Sequence, residues 1–234
     1  MRSAGTMLTT LAFVPLLEVA LLVTVARSFA VPEAATVAYA GFIVSALAQV
    51  VGAVVRDRGI GVLEETLAVS PWSAVYWGGK LLFPAATALV TSALGCVVVW
   101  AVEPAHNADL LGMALLGILM AVLVGCCVGL GCSVAAVAGR DPFFAANVLT
   151  ALLPVTAGVI APLSAYPAWL QPVSAVLPGT WLVHWLRESG AGQFSGWPLL
   201  LEGLITAAWA CGGVVGLRMA WGRMRSGSGS AEVL

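Results

Sequence analysis

Six long apolar stretches constrain the fold of this chain more than any other feature, because a helix needs about 20 mainly apolar residues to cross a bilayer. The 234 residues are 61% hydrophobic and 9% charged, whereas about a quarter of the residues of a soluble domain are charged. The sequence therefore predicts an all-α integral membrane protein. Its six transmembrane helices are expected at residues 8–26, 37–55, 81–102, 110–138, 148–163 and 197–219.

The orientation of these spans follows from the lysines and arginines, because cytoplasmic loops carry the excess of positive charge. With a cytoplasmic amino terminus, eight of the ten Lys and Arg residues fall on the inner side. Only Arg27 and Arg187 then lie outside. The prediction is a multi-pass protein of the plasma membrane with both termini in the cytoplasm.

Charge is concentrated between the second and third spans. Residues 56–80 hold 6 of the 21 formal charges (10 basic, 11 acidic) and form a predicted cytoplasmic loop. Within it, residues 62–69 predict a short amphipathic helix with Leu63 and Leu67 on one face. Ser70 is then a good N-cap and Pro71 suits a first helical turn. A simpler interpretation is that these charges only set the topology.

Polar side chains inside the spans are few. Glu18 lies near the middle of the first span, where an intramembrane acid by default faces a pathway or a partner. It also argues against a cleaved signal peptide, whose core is apolar. Gln49 in the second span is a weaker candidate of the same kind. Glu202 lies near the amino terminus of the last span, where an acid favours the helix, so it is interpreted as structural.

Other motifs carry less information. Residues 125–129 and 212–216 each contain G-x-x-x-G, which permits close helix approach but arises by chance in a chain with 26 glycines. The five cysteines all fall within predicted spans, where they are expected to be small apolar fillers. His106 and His184 have no partner residues for a metal or catalytic site. No catalytic, cofactor or metal residue is predicted.

Two stretches carry a resemblance to a known family. The charged loop reads GVLEETLAVSPWS over residues 61–73, with Gly79 and Lys80 beyond. A later block reads APLSAYPAWLQP over residues 161–172, then LPGT over residues 177–180, and ends at Arg187. Together they resemble the loop between spans 2 and 3, and the extracellular segment between spans 5 and 6, of type-2 ABC transporter permeases. Val62 departs from the pattern, which often has Thr there.

The resemblance implies that the charged loop contains a coupling helix that docks on a separate ATPase subunit. No G-x-x-x-x-G-K-[ST] phosphate loop occurs in the chain, so ATP and Mg are expected to bind the partner, and the chain is a transport subunit rather than an enzyme. A second permease copy or a homologue completes the transporter. The residues expected to contact the ATPase are Gly61, Leu63, Glu64, Glu65, Leu67, Ser70 and Pro71.

The later block cannot be a continuous span, because four prolines interrupt it. Its apolar residues suit a short re-entrant helical hairpin at the outer leaflet, since non-helical backbone at that depth must be buried in protein or line water. It is interpreted as an outer gate over a pathway that contains Glu18 and Gln49. The gate residues are Pro162, Pro167, Trp169, Leu170 and Pro178.

The function implied is ATP-driven export of an amphipathic small molecule, a drug or natural product, since daunorubicin-type efflux permeases look most similar. Export of a polysaccharide or lipid-linked glycan is the alternative, and an ion-coupled carrier or a membrane enzyme that uses Glu18 is less favoured. A net charge of −1 and the lack of a basic run argue against nucleic acid. Residues 1–225 are predicted to form the membrane domain, and residues 226–234 a flexible tail, native or added.

Overall fold

The computed structural model describes residues 34–59, 73–138, 141, 143–159 and 161–225. This part of the chain is helical and contains no strand, as predicted, with a 3-10 turn at Leu163–Ala165. The α-helices described are α1 (Ala34–Gly59), α2 (Ala74–Val102), α3 (Ala108–Ala138), α4 (Phe144–Thr156), α5 (Leu170–Ala175), α6 (Thr180–Gly190) and α7 (Trp197–Arg225).

Four of the described helices, α1, α2, α3 and α7, are long and apolar enough to cross a membrane. They contain the predicted spans at 37–55, 81–102, 110–138 and 197–219. The predicted first span at 8–26 and the predicted amphipathic helix at 62–69 lie outside the described residues. The count of six spans and the orientation of the chain therefore stay predictions.

The predicted bounds of the fifth span are wrong, because α4 begins at Phe144 and ends at Thr156. Its 13 residues reach about 20 Å at 1.5 Å per residue. The helix stops because Gly158 adopts a φ of +78°, a backbone conformation that glycine alone adopts freely. The hydropathy of the sequence does not predict this turn. The residues after Thr156 are apolar, so they were predicted to continue the helix.

The central element is α1, which packs against α2, α3, α4 and α6. Glycines of the neighbouring helices show which residues of α1 they contact. Gly95 of α2 contacts Phe42. Gly117 and Gly129 of α3 contact Ile43 and Val54 respectively. These pairs show that α1 and α3 run in the same direction. We call the end of the bundle where α1 and α3 begin the upper end, and the opposite end the lower end.

Glycines also bring α3 and α7 together. A Cβ atom built on Gly216 would stand 2.5 Å from Val134 Cγ1, and one on Gly213 would meet the backbone of Leu130 and Gly131. Both glycine motifs of the sequence therefore lie at helix contacts, although their pattern alone was uninformative. In the second motif the contacting residues are Gly213 and Gly216, since Gly212 has no neighbouring atom within 4 Å.

Candidate functional site

Helices α5 and α6 form a hairpin, residues 170–190, whose turn lies deep between the long helices. A Cβ built on Gly179, at the turn, would stand 3.1 Å from Leu47 Cδ1. At the other end of α6, a Cβ on Gly190 would stand 3.3 Å from Leu110 Cδ1 at the upper end. Leu47 is about 20 Å along α1 from its first residue at 1.5 Å per residue. The hairpin thus enters from the upper end and turns back inside the bundle.

The predicted gate residues occupy different parts of this segment. Pro178 is buried at the turn of the hairpin, and Leu170 is the half-buried first residue of α5. Pro162, Pro167 and Trp169 are exposed in the connection from α4. The structure therefore brings Pro178 into the bundle and leaves these three at its surface.

Arg187 on α6 fastens the hairpin to the end of α4. Its Nε donates a hydrogen bond to the Gly158 carbonyl oxygen at 3.1 Å, and its Nη2 donates to the Val159 carbonyl oxygen at 2.7 Å. A guanidinium suits this role because its planar fork presents several donors at fixed angles. From the sequence, Arg187 was predicted only to lie on the outer side, at the end of the later block. Its partners could not be identified from sequence, because the two carbonyl oxygens lie 28 and 29 residues away along the chain.

Three further side-chain hydrogen bonds hold the segment that leads into and through the hairpin. The Tyr166 hydroxyl donates to the Val155 carbonyl oxygen, and partial burial raises the pKa of Tyr166. Gln171 Nε2 donates to the Tyr166 carbonyl oxygen at 3.0 Å. Trp181 Nε1 donates to the Ala175 carbonyl oxygen at 2.8 Å, which joins α6 to α5.

Glu202 on α7 caps the amino terminus of α6. The Gly179 amide donates to Oε1 at 2.7 Å and the Trp181 amide donates to Oε2 at 3.2 Å. The side chain is 2% exposed. The first amides of a helix lack partners within it, and Gly179, at the N-cap position, has no side chain to supply one. Glu202 has the structural role at a helix amino terminus that was predicted for it, but the helix that it caps is α6 and not α7.

Gln49, predicted to line the pathway, joins α1 to α2. Its Oε1 accepts a hydrogen bond from Thr91 Oγ1 at 3.2 Å, and its Nε2 donates to Ser45 Oγ at 3.3 Å. Its side chain is nevertheless exposed. The contacts show a structural function for Gln49, and a role in the pathway stays a prediction. Glu18 lies outside the described residues.

The start of α2 follows directly after the predicted coupling loop. Its N-cap is Ser73, whose hydroxyl accepts from the Tyr76 amide at 3.3 Å. Lys80 Nζ donates to the Tyr76 hydroxyl at 3.1 Å and lies 5.8 Å from the centroid of the Trp77 ring. The predicted start of this helix is therefore wrong, because Ser73 and not Ser70 is the N-cap of α2. The predicted coupling residues, Gly61, Leu63, Glu64, Glu65, Leu67, Ser70 and Pro71, all lie outside the described residues.

A cleft of about 710 Å³ opens at the upper end beside the hairpin. It lies between the start of α3 and the end of α6, and its lining includes Asp109, Met113, Ser189 and Phe194. Within the described ranges, no group of three or more His, Cys, Asp and Glu residues could hold a metal ion. The five cysteines are free thiols.

Four long apolar helices and a helical hairpin with a buried turn are features of a multi-pass helical membrane protein. Residues 6–189 match the family described as ABC-2 type transporter. No curated protein and no solved structure matches the chain. Because the family match spans most of the sequence, the chain belongs to the ABC-2 type transporter family. Proteins of this family are membrane subunits for transport that work with an ATPase subunit. The resemblance seen in the sequence is thereby confirmed.

Proposed function

We propose that this protein is the permease subunit of an ATP-driven exporter that moves an amphipathic small molecule out of the cell. The observation that carries the proposal is the hairpin turn at Gly179, which is buried against Leu47 inside the bundle of an ABC-2 family member. Interrupted helices at membrane depth are tolerated where they are buried in protein or line a water-filled cavity. A hairpin at this place can close one end of a transport pathway.

In this proposal six helices cross the plasma membrane, both termini are cytoplasmic, and the upper end faces outward. The charge distribution supports this orientation, because positive residues are concentrated in cytoplasmic segments. In the part of the chain that the structure describes, Arg56, Lys80 and Arg218 lie towards the lower end, and Arg187 lies towards the upper end. The hairpin is then a re-entrant outer gate that includes Pro178 and Leu170.

A separate ATPase subunit supplies the energy. Closure of two ATPase subunits on ATP moves the helices that they contact, and the pathway changes the side to which it opens. Leu63 and Leu67 form the apolar anchor of the coupling helix in the ATPase, and Glu64 and Glu65 contact its rim. Buried apolar anchors carry more affinity than rim charges at most interfaces. A second permease copy or a homologue forms the other half of the transporter.

Purification from native membranes tests the partnership with an ATPase. The tagged chain should co-purify with a nucleotide-binding subunit, and Leu67→Asp should reduce the bound ATPase at least about tenfold because it puts a charge into an apolar contact. Gln193→Ala, which changes an exposed side chain at the upper end, is the matched control. Co-purification that Leu67→Asp leaves intact would argue against the assigned coupling helix.

The substrate class is tested on the same complex in liposomes. We expect amphipathic small molecules to stimulate ATP hydrolysis and to be carried across the bilayer. Stimulation by lipid-linked glycans alone would favour the alternative function of glycan export. Transport that is driven by an ion gradient without any ATPase would contradict both.

A further inference from the structure

One of the helices that the structure describes contacts both the start of α2 and the tip of the hairpin. This helix is α7, which lies beyond the family match at residues 6–189. Its upper half carries Glu202, and its lower half carries Leu217. The two residues are about 22 Å apart along the helix at 1.5 Å per residue.

At its lower half, α7 packs against the residues that follow the predicted coupling loop. Leu217 is 1% exposed and packs against Tyr76 and Trp77 of α2 and against Leu130 and Val134 of α3. The Tyr76 and Trp77 rings contact each other edge to face at 5.2 Å. The first turn of α2 is therefore in side-chain contact with α7.

At its upper half, α7 packs against α6, and its Glu202 side chain is bonded to the tip of the hairpin. Glu202 accepts the hydrogen bonds of the Gly179 and Trp181 amides described above. Because Gly179 has no side chain, Glu202 is the side-chain cap of α6. At its far end, α6 is fastened to the end of α4 through Arg187.

We infer that Glu202 is a positioning residue for transport: it makes the tip of the hairpin follow α7, so that movement of the first turn of α2 reaches the outer gate through α7. The inference rests on the proposed export function. It adds that α7 is the element that connects the ATPase side of the protein to the hairpin. The buried carboxyl group is suited to this role, because each of its two oxygens accepts one of these backbone hydrogen bonds. Its two oxygens also fix both the position and the direction of α6.

The test measures the position of the hairpin in the complete transporter with its ATPase. Spin labels at Ala168, just before the hairpin, and at Ala108, the first residue of α3, are both at exposed sites. In the otherwise unaltered chain, ATP should change the distance between the labels. In Glu202→Leu that change should be lost and transport should fall at least about tenfold, while ATP hydrolysis stays within about twofold.

Gly203→Ala is the matched control, because Gly203 is the next residue of α7 and has no neighbouring atom within 4 Å. It should keep both the ATP-dependent distance change and transport. Leu217→Ala should act like Glu202→Leu, and the double variant Leu217→Ala with Glu202→Gln should be no worse than the stronger single variant, since both residues act on one route.

Glu202→Gln covers the case in which Glu202→Leu does not fold. The amide side chain keeps the shape but replaces one acceptor oxygen with a donor. Hydrogen exchange of the Gly179 or Trp181 amide should become at least about tenfold faster, and the ATP-dependent distance change should shrink. Unchanged exchange at both amides would overturn the inference.

The outcomes separate the inference from the proposed function. If ATP moves the hairpin equally in the unaltered chain and in a folded Glu202 variant, the coupling role of Glu202 is wrong and the export function stands. If ATP moves no label in the unaltered chain although the complex transports, the inference is wrong and the export function stands. If the complex with its ATPase transports nothing, the proposed function fails and the inference fails with it.

Discussion

Gly131 on α3 and Gly213 on α7 lie in backbone contact: a Cβ atom built on Gly213 would stand 2.9 Å from the Gly131 backbone nitrogen. Real Cβ atoms do not approach so closely, so glycine is required if the two helices are to keep this distance. The contact is of the kind that small residues permit between membrane helices. It places Leu217, one turn further along α7, against α2 and α3.

We therefore expect Gly213→Val to force α3 and α7 apart. Overpacking of a tight contact costs about 1–3 kcal/mol, and the thermal unfolding midpoint of the purified protein should fall. The neighbouring substitution Gly212→Val is the control, because Gly212 has no atom within 4 Å. Equal losses for the two variants would show that helix propensity, and not the contact, decides the result.

The turn of the hairpin makes a second prediction. Gly179 has a φ of +85°, and a Cβ there would meet Leu47 Cδ1 at 3.1 Å. Gly179→Ala should lower the free energy of unfolding by about 1–2 kcal/mol, because an L-residue is unfavourable in the left-handed region. Crowding of the new Cβ atom against Leu47 should lower it further. Gly192 has a φ of +78° with no atom within 4 Å, so Gly192→Ala shows the backbone cost alone. The difference in unfolding midpoint between the two variants measures the crowding against Leu47. Equal midpoints would contradict the close contact between Gly179 and Leu47.

Arg187 provides a third prediction, because its guanidinium bonds two carbonyl oxygens at once. Hydrogen bonds to a charged group contribute about 1.5–3 kcal/mol each. Arg187→Lys keeps the charge but lacks the fork, so it should lose about one bond, and Arg187→Met should lose both. We expect the unfolding midpoint to be highest for the original arginine, lower for Arg187→Lys and lowest for Arg187→Met. A lysine variant as stable as the original would show that charge alone holds the end of α4.

The fourth prediction concerns the sides of the membrane. Gly192 and Asp141 are both exposed and lie in the connections that follow α6 and α3, at the upper and lower ends respectively. In a chain without native cysteines, an impermeant maleimide added to intact cells should label Gly192→Cys. Asp141→Cys should react only after the membrane is opened. The reverse pattern would invert the proposed orientation.

The sequence predicts those parts of the fold that depend on the composition of one continuous stretch of residues. The four long helices of the described chain follow from hydropathy, because bilayer thickness fixes a minimum apolar length. The break in the helix before and within the hairpin follows from the close spacing of Pro162, Pro167, Pro172 and Pro178. Single prolines do not break the helices that contain Pro84 and Pro154. The end of α4 could not be predicted, because it depends on the backbone of Gly158 rather than on its hydropathy.

The contacts of the candidate site are harder to predict from the sequence, because they join residues that are far apart along the chain. Arg187 and its carbonyl partners are 28 and 29 residues apart, and Glu202 lies 23 residues from Gly179. An acid near the start of a helix indicates a capping role, but nothing in its neighbourhood identifies the helix that it caps. Glycine motifs have the same limit: only the packed structure shows that Gly213 faces α3 and that Gly212 does not.

Photo-crosslinking from the predicted coupling helix tests the proposed export mechanism most directly. A photoreactive amino acid at Leu67 should crosslink to a nucleotide-binding ATPase subunit in native membranes, and the same group at Gly192 should not. Crosslinks from Gly192 but not from Leu67 would contradict the proposed orientation, and the absence of any ATPase in the Leu67 products would contradict the coupling of this permease to an ATP-driven motor.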